Sequence, residues 1–187
     1  MIPAILATFA YGLALTLFFF RCAPALRARP GRKALALAAV CALLHLPVAG
    51  ITLLVLLRGA LGDLSLVSLV LLGVFFIQHR RQSIVTLLQV RIFASLGLAF
   101  SLCGFGLLPL DPYEPGYDSA ILPCLVGGLA CLFWYRGNRA LSLALLAALS
   151  GWRLHWLDST NLWDYLLDVP LIIAALGHAV ATRAKTA

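Results

Sequence analysis

Apolar runs long enough to cross a lipid bilayer recur along the whole chain, and they restrict the folds that it can adopt. Hydrophobic residues make up 63% of the 187 residues and charged residues only 11%, whereas about a quarter of the residues of a soluble domain are charged. Lipid offers no hydrogen-bond partner to the backbone, so runs of this length are expected to be helices. The sequence therefore predicts an all-α, polytopic integral membrane bundle that forms a single domain over residues 1–187.

The apolar runs divide into about seven predicted membrane spans. Their approximate bounds are 2–20, 34–57, 64–78, 84–110, 119–135, 140–157 and 162–182. The third run is short. The second contains Pro47 and Gly50, which predict a kink near the middle of the membrane because proline lacks a backbone donor.

Basic and acidic residues separate between the predicted loops. With seven spans, one side receives Arg21, Arg27, Arg29, Arg32, Lys33, Arg80, Arg81, Arg136, Arg139, Arg183 and Lys185. On or near the other side lie Asp63, Asp111, Glu114, Asp118, Asp158, Asp164 and Asp168. Because basic loops stay in the cytoplasm, we predict a bacterial inner-membrane protein with its N-terminus outside and its C-terminus inside.

The net charge of +7 bears on the partners of the chain. The positive residues lie in the loops of one side, and no folded basic surface of the kind that binds nucleic acid is indicated. We therefore predict no nucleic-acid partner. The predicted partners are the lipid bilayer, anionic lipids at the cytoplasmic face and a membrane protein partner.

Three polar residues, His45, Arg91 and His178, fall within predicted spans. His45 is either a ligand or proton-relay residue or a histidine bonded to a carbonyl that Pro47 frees, and we favour the second interpretation. Arg91 lies roughly 10 Å inside the membrane if its span begins at residue 84. It lies at the inner flank if the span covers residues 92–110, and we favour that register. A polar path past His45 toward Arg91 or His178 would indicate a transporter.

The loop before the fifth span contains Asp111, Glu114 and Asp118. Its two prolines and one glycine predict a compact turn. The acidic residues are typical either of a lip that binds a cation or a polar ligand, or of a solvated turn. Tyr113 and Tyr117 suit the membrane–water interface in both cases.

The turn between the sixth and seventh spans concentrates the polar residues of the chain. Its candidates for ligand binding are His155, Asp158, Asn161 and Asp164. Asp164 and Asp168 are four residues apart and share one helical stripe. Because a partly buried charge in lipid needs a partner, we predict a structural ion pair between Arg153 and Asp168.

Known motifs assign no cofactor and no metal. Residues 160–168 resemble part of the aspartate-rich first motif of membrane prenyltransferases of the UbiA kind, but the second motif of that family is absent, so no prenyl transfer is predicted. Phosphate loops, zinc helices and nucleophile elbows are also missing. Five scattered cysteines show no metal spacing. We expect Cys103 and Cys124, at similar outer depths, to be free thiols.

Three functions are compatible with these features. The favoured one is a transport, binding or accessory subunit with an acidic, aromatic vestibule on the outer face. The alternative is an enzyme that acts on a lipid or lipid-linked substrate at the outer leaflet. In that case His155, Asp158, Asp164 and Glu114 would supply acid–base groups or bind a divalent metal. In the third, the Arg153–Asp168 pair is only a structural lock.

Overall fold

A computed structural model of the chain describes residues 2–22, 30–78, 86–104, 111–117 and 119–183. The helices are α1 (Ile2–Cys22), α2 (Pro30–Leu44), α3 (Leu53–Leu61), α4 (Leu66–Ile77), α5 (Leu87–Gly104), α6 (Ile121–Tyr135), α7 (Arg139–Arg153), α8 (Trp163–Leu166) and α9 (Val169–Arg183). Two short strands, β1 (Pro47–Val48) and β2 (Ile51–Thr52), separate α2 from α3, and Glu114–Gly116 form a 3₁₀ turn. The prediction of an all-α chain is confirmed.

Two described helices, α1 and α5, are long and apolar enough to cross a membrane, against seven predicted spans. The helices α4, α6 and α9 are apolar but shorter. At 1.5 Å per residue, the 12 residues of α4 extend about 18 Å, whereas the hydrocarbon core of a bilayer is about 30 Å thick. Length and hydropathy thus support membrane association through α1 and α5.

The second predicted span is a helix, a hairpin and a second helix instead of one kinked helix. The strands β1 and β2 pair antiparallel, with Pro47 opposite Thr52. Ala49 and Gly50 between them have φ values of 54° and 85°, which is the conformation that a two-residue hairpin requires. Thr52 Oγ1 then accepts a hydrogen bond from the amide of Val55 and caps α3. The chain therefore reverses here because Pro47 cannot continue α2.

Helix α3 is tied to the middle of α1. The buried Tyr11 hydroxyl donates a hydrogen bond to the carbonyl of Gly62 at 2.5 Å, and the carbonyl of Leu57 lies 3.3 Å from the same hydroxyl oxygen. A small core surrounds this contact, and it consists of Ala7, Ala10, Tyr11, Leu44, Leu54 and Leu64. The end of α3 and the loop that follows it are thereby fixed beside α1.

The remaining helices form a row and a pair. In the row, α2 packs against α1, α1 against α4, α4 against α7, and α7 against α6, whereas α5 pairs with α9. Small residues allow the close contacts. A Cβ atom on Gly97 of α5 would lie 2.8 Å from Cγ1 of Ile172 on α9. The larger core lies within the row and against α8, and it is centred on the fully buried Ala144, Ala148, Leu162 and Tyr165.

Helix α4 defines the two ends of the bundle. At its start, Leu66 contacts Gly151 near the end of α7. At its other end, Phe76 stacks on Phe20 of α1, and the Phe76 carbonyl accepts a hydrogen bond from Nζ of the buried Lys33 at 3.1 Å. We call these the acidic end and the basic end, respectively.

Most charged side chains of the described residues lie near one of these two ends. The acidic end carries Asp63, Asp158, Asp164 and Asp168, and the basic end carries Arg21, Arg32, Lys33, Arg136 and Arg139. Arg58 and Arg153 also lie at the acidic end. Outside the described residues lie Arg27, Arg29, Arg80, Arg81, Asp118 and Lys185.

Candidate functional site

A cavity of about 650 Å³ lies at the acidic end, between α5, the start of α9 and the loops before α4 and α8. Its volume is within the range of sites for small molecules. The charged and aromatic residues in its lining are Asp63, Asp158, Asp164, Asp168, Phe100, Tyr113 and Trp163. We call it the acidic cavity. It combines three carboxylates from separate loops and the Asp164 carboxylate of α8 with aromatic side chains.

Arg58, in the last turn of α3, holds two of these carboxylates. Its Nε and Nη2 atoms donate to the two oxygens of Asp63 at 2.6 and 2.7 Å, and such bidentate pairs are strong and directional. Nη2 also donates to Oδ2 of Asp158 at 3.3 Å. One guanidinium thus neutralises one of two carboxylates, and the cluster keeps an excess negative charge.

Arg58 was not among the residues singled out from the sequence. It is isolated at the end of a long apolar run and lies on the side of the predicted acidic loops. Gly62 and Asp63 follow it closely. This position could have predicted the Arg58–Asp63 pair, because an arginine away from the basic loops needs a carboxylate partner nearby.

Asp168 does not pair with Arg153, so the predicted ion pair is wrong. Its Oδ1 accepts a hydrogen bond from the amide of Leu171 at 2.7 Å, and its Oδ2 accepts one from the amide of Ser65 at 2.9 Å. Arg153 is exposed, and the ion pairs between described side chains are those of Arg58. The buried Asp168 carboxylate is therefore satisfied by backbone amides instead of a guanidinium.

The cause is a break in the seventh predicted span, which was expected to run without interruption over residues 162–182. Leu167 is extended, with φ −125° and ψ 144°, and α9 begins only at Val169. Pro170 lies in its first turn, where a missing amide has no cost. Asp168 thus becomes the N-cap of α9, a position that aspartate favours. An aspartate two residues before a proline was the signal for this cap.

Asp164 connects the two loops of the acidic end. Its Oδ1 accepts a hydrogen bond from the Tyr113 hydroxyl, and its Oδ2 accepts one from the Ser159 hydroxyl. The side chain is partly buried, and burial raises the pKa of this carboxyl above its ordinary value. Among the described side chains it has no cationic partner. Asp164 therefore adds a further negative charge to those of the Arg58 cluster and Asp168.

Asn161 also joins the loop of residues 111–117 to the segment that leads into α8. It is fully buried, its Nδ2 donates to the Tyr113 carbonyl at 3.0 Å, and its Oδ1 accepts from the Trp163 amide at 2.9 Å. The Leu162 amide donates to the Gly116 carbonyl at 2.8 Å. Gly116 packs so closely that a Cβ atom there would collide with Asn161. Asn161, a predicted ligand residue, thus supports the loops that carry the cavity.

Three aromatic rings form one side of the cavity. The Phe100 ring lies 5.0 Å from that of Trp163 and 5.4 Å from that of Tyr113, measured between centroids. We call Phe100, Tyr113 and Trp163 the aromatic wall. Nε1 of Trp163 is buried and has no hydrogen-bond partner within the described part of the chain. The wall therefore offers aromatic surface to the cavity.

Of the other residues predicted for the outer site, those that the structure describes do not line this cavity. Glu114 is exposed, and so is Asp111, which accepts a hydrogen bond from the Tyr113 amide. Asp118 lies outside the described residues. His155 is exposed with φ 51° at the end of α7. The convergence of His155 with two carboxylates that the enzymatic alternative requires is therefore not formed.

The polar residues predicted within spans lie outside the acidic cavity. His45 Nε2 is 3.2 Å from the Thr8 hydroxyl, so its partner is a side chain of α1 and not a carbonyl freed by Pro47. Both border a smaller cavity of about 280 Å³. Arg91 and His178 are exposed on α5 and α9. None of the three lines the acidic cavity, so they form no path through it.

The described residues contain no group of three or more His, Cys, Asp or Glu side chains arranged to hold a metal ion. All five cysteines are free thiols. Comparisons with protein-family models, curated proteins and solved structures found no match. The function of the acidic cavity must therefore be inferred from its own geometry and charge.

Proposed function

We propose that this chain is a small multi-pass inner-membrane protein, a transport, binding or accessory subunit. Its acidic cavity faces the outside and binds a cationic or polar ligand. The N-terminus is outside, the C-terminus is inside, and the basic end contacts anionic lipids. Seven crossings make the acidic end the outer one, since basic loops remain in the cytoplasm.

The distribution of apolar side chains supports a lipid environment. Large apolar side chains are exposed on every long helix, and examples are Phe18, Leu35, Ile77, Leu96, Ile121, Leu143 and Ile173. Ile77 is 73% exposed and Ile121 is 70% exposed. Soluble monomers rarely expose apolar patches larger than a few hundred Å². Lipid chains around the bundle would cover these side chains, including those on the helices that are shorter than a full span.

The observation that carries the binding proposal is the charge of the acidic cavity. Arg58 offsets one of the two carboxylates that it contacts. Asp164 and Asp168 are held by hydroxyls and backbone amides, which do not neutralise them. A concave site with an excess of one charge concentrates ligands of the opposite charge. A cation is therefore the ligand that this cavity favours.

Calorimetric titration of the purified protein tests the proposal. The probes are the chlorides of benzyltrimethylammonium, spermidine and magnesium, with sodium benzenesulfonate as the anionic control. We expect at least one cation to bind and benzenesulfonate not to bind. Asp164→Asn should weaken the cation by roughly tenfold, as for the loss of one partly buried charge contact. Glu114→Gln, an exposed acid outside the cavity, should change the affinity less than about twofold.

Two results would contradict the binding proposal. One is the absence of binding by all three cations. The other is an equal loss of affinity in Asp164→Asn and Glu114→Gln, because general surface charge would then explain the binding. The topology is tested separately by reporter fusions at Gly116 and Ala187. They should report outside and inside, respectively, and the same side for both would refute the predicted odd number of crossings between them.

A further inference from the structure

We infer that the ligand of the acidic cavity is an organic ammonium ion whose apolar substituents pack against the aromatic wall; the inference rests on the function proposed above. Electrostatic attraction alone does not distinguish a metal ion, a polyamine and an alkylated ammonium. The arrangement of the aromatic rings and of the carboxylates makes this distinction.

The aromatic wall lies directly beside a carboxylate. The Tyr113 hydroxyl donates a hydrogen bond to the Asp164 carboxylate, and Trp163 precedes Asp164 in the sequence. An ammonium group within about 6 Å of a ring face is attracted by the ring quadrupole, and aromatic surfaces of this kind recognise alkylated ammonium ions. A cation in this cavity would contact the ring faces while the charge of Asp164 stays close to it.

The carboxylates are poorly arranged for a dehydrated metal ion. Calcium and magnesium need at least six oxygen ligands around one point. Asp168 has both oxygens bonded to backbone amides, and Asp63 has both bonded to Arg58. A weakly hydrated ammonium ion needs no such ligand set, because a diffuse negative charge is sufficient.

The remainder of the lining suits the substituents of such a cation. Leu167, Val169 and Ile172 contribute apolar surface, and Val169 is 55% exposed. The ligand is thus an ammonium compound with apolar substituents.

The test compares benzyltrimethylammonium with neopentylbenzene, in which carbon replaces the charged nitrogen. The protein is held in nanodiscs of phosphatidylglycerol, and binding is followed by the fluorescence of Trp163, taken as the difference between the wild type and Trp163→Phe. Calorimetry supplies the affinities of the variants. We expect the ammonium to bind at least tenfold more tightly than its neutral isostere. Trp163→Leu should weaken it by roughly tenfold, and Trp163→Phe, which keeps a ring, by less.

Trp134→Leu is the matched control, since Trp134 is 55% exposed at the basic end. It should leave the affinity within about twofold. Each variant must retain the elution volume and melting temperature of a folded protein, and Trp163→Phe provides the result if Trp163→Leu does not fold. Equal binding of the isostere, or an equal loss in Trp134→Leu, would overturn the ammonium assignment.

The outcomes separate this assignment from the broader proposal. Binding of spermidine or magnesium without benzyltrimethylammonium would overturn an ammonium ion with apolar substituents and leave a cation site in place. Failure of every cation would overturn both. Addition of phosphatidylcholine to the nanodiscs distinguishes two sources of the same chemistry. Displacement of the probe would assign the ammonium to a lipid headgroup, and no displacement would assign it to a soluble amine; either result supports the ammonium.

Discussion

The carboxylate of Asp168 accepts a hydrogen bond from the backbone amide of Ser65, 103 residues earlier in the chain. Ser65 caps α4, because its Oγ accepts from the Ser68 amide at 3.1 Å, and Asp168 caps α9. One buried side chain therefore fixes the first residues of two helices to each other. The floor of the acidic cavity depends on this contact, since Asp168 is part of its lining.

Asp168→Ala should lower the free energy of unfolding by about 2 kcal/mol, because it removes an N-cap and leaves a buried amide without a partner. Arg153→Ala should change it by less than about 0.5 kcal/mol, as for an exposed residue without a special contact. Denaturation in detergent measures both values. An equal loss of stability in Arg153→Ala and Asp168→Ala would contradict this structure and support the ion pair predicted from the sequence.

The two ion pairs of Arg58 should differ in strength. The Asp63 side chain is 26% exposed, whereas that of Asp158 is 73% exposed. In double-mutant cycles with Arg58→Met, we expect a coupling of about 1 kcal/mol with Asp63→Asn and less than about 0.5 kcal/mol with Asp158→Asn, because solvent screens exposed pairs. Unfolding in detergent provides the free energies. A stronger coupling to Asp158 would contradict the bidentate contact to Asp63.

The raised pKa of Asp164 has a consequence for stability that depends on pH. Burial raises the pKa in the folded state above the ordinary value of 3.8, so ionisation of Asp164 opposes folding. Its contribution is fully present below pH 3.8 and is lost as the pH rises through the folded pKa. The free energy of unfolding of the wild type minus that of Asp164→Asn should therefore fall between pH 3 and pH 7. A rise with pH would show that hydrogen bonds to the carboxylate dominate.

Binding should show the opposite trend with pH. Only the ionised carboxylate attracts a cation, so the affinity for benzyltrimethylammonium should rise with pH through the raised pKa. The cavity is also lined by Asp63, Asp158 and Asp168, and Arg58 stays charged. The pH dependence of the affinity that remains in Asp164→Asn therefore measures the contribution of these other carboxylates. Calorimetry between pH 4 and pH 7 provides both curves. Identical curves for the wild type and Asp164→Asn would exclude Asp164 as the responsible group.

Gly116→Ala should detach the loop of residues 111–117 from Asn161. Its Cβ would collide with Asn161 Oδ1 and lie 2.6 Å from Cδ1 of Trp163. We expect a loss of about 2 kcal/mol or more in the free energy of unfolding, within the range of overpacking, and a weaker affinity for the cation. Gly128→Ala is the control, because no atom lies within 4 Å of its added Cβ. It should be neutral or stabilising in a helix, and equal losses would contradict the close contact.

The helical class was predicted from the composition of the chain. Asp158 and Asp164 were predicted as site residues from the distribution of charges along it, which is also a local feature of the sequence. The hairpin at Ala49 and Gly50 was not predicted, since an apolar run looks the same whether its helix is continuous or broken. The cap at Ser65 was hidden for the same reason, whereas Pro170 was the local signal for the cap at Asp168. The contact of Arg58 with Asp158 joins residues 100 positions apart, and no local pattern encodes such a pair.

The bond between Tyr11 and Gly62 has a consequence for the Arg58–Asp63 pair. Gly62 lines the cavity and lies beside Tyr11, whereas α1 begins at Ile2. At 1.5 Å per residue, about 14 Å of α1 extends beyond this level. Helix α1 thus extends past the Arg58–Asp63 pair, whose side chains are only 28% and 26% exposed. Dissolved salt screens partly buried charges less than exposed ones, so the coupling between Arg58 and Asp63 should change little between low and physiological ionic strength.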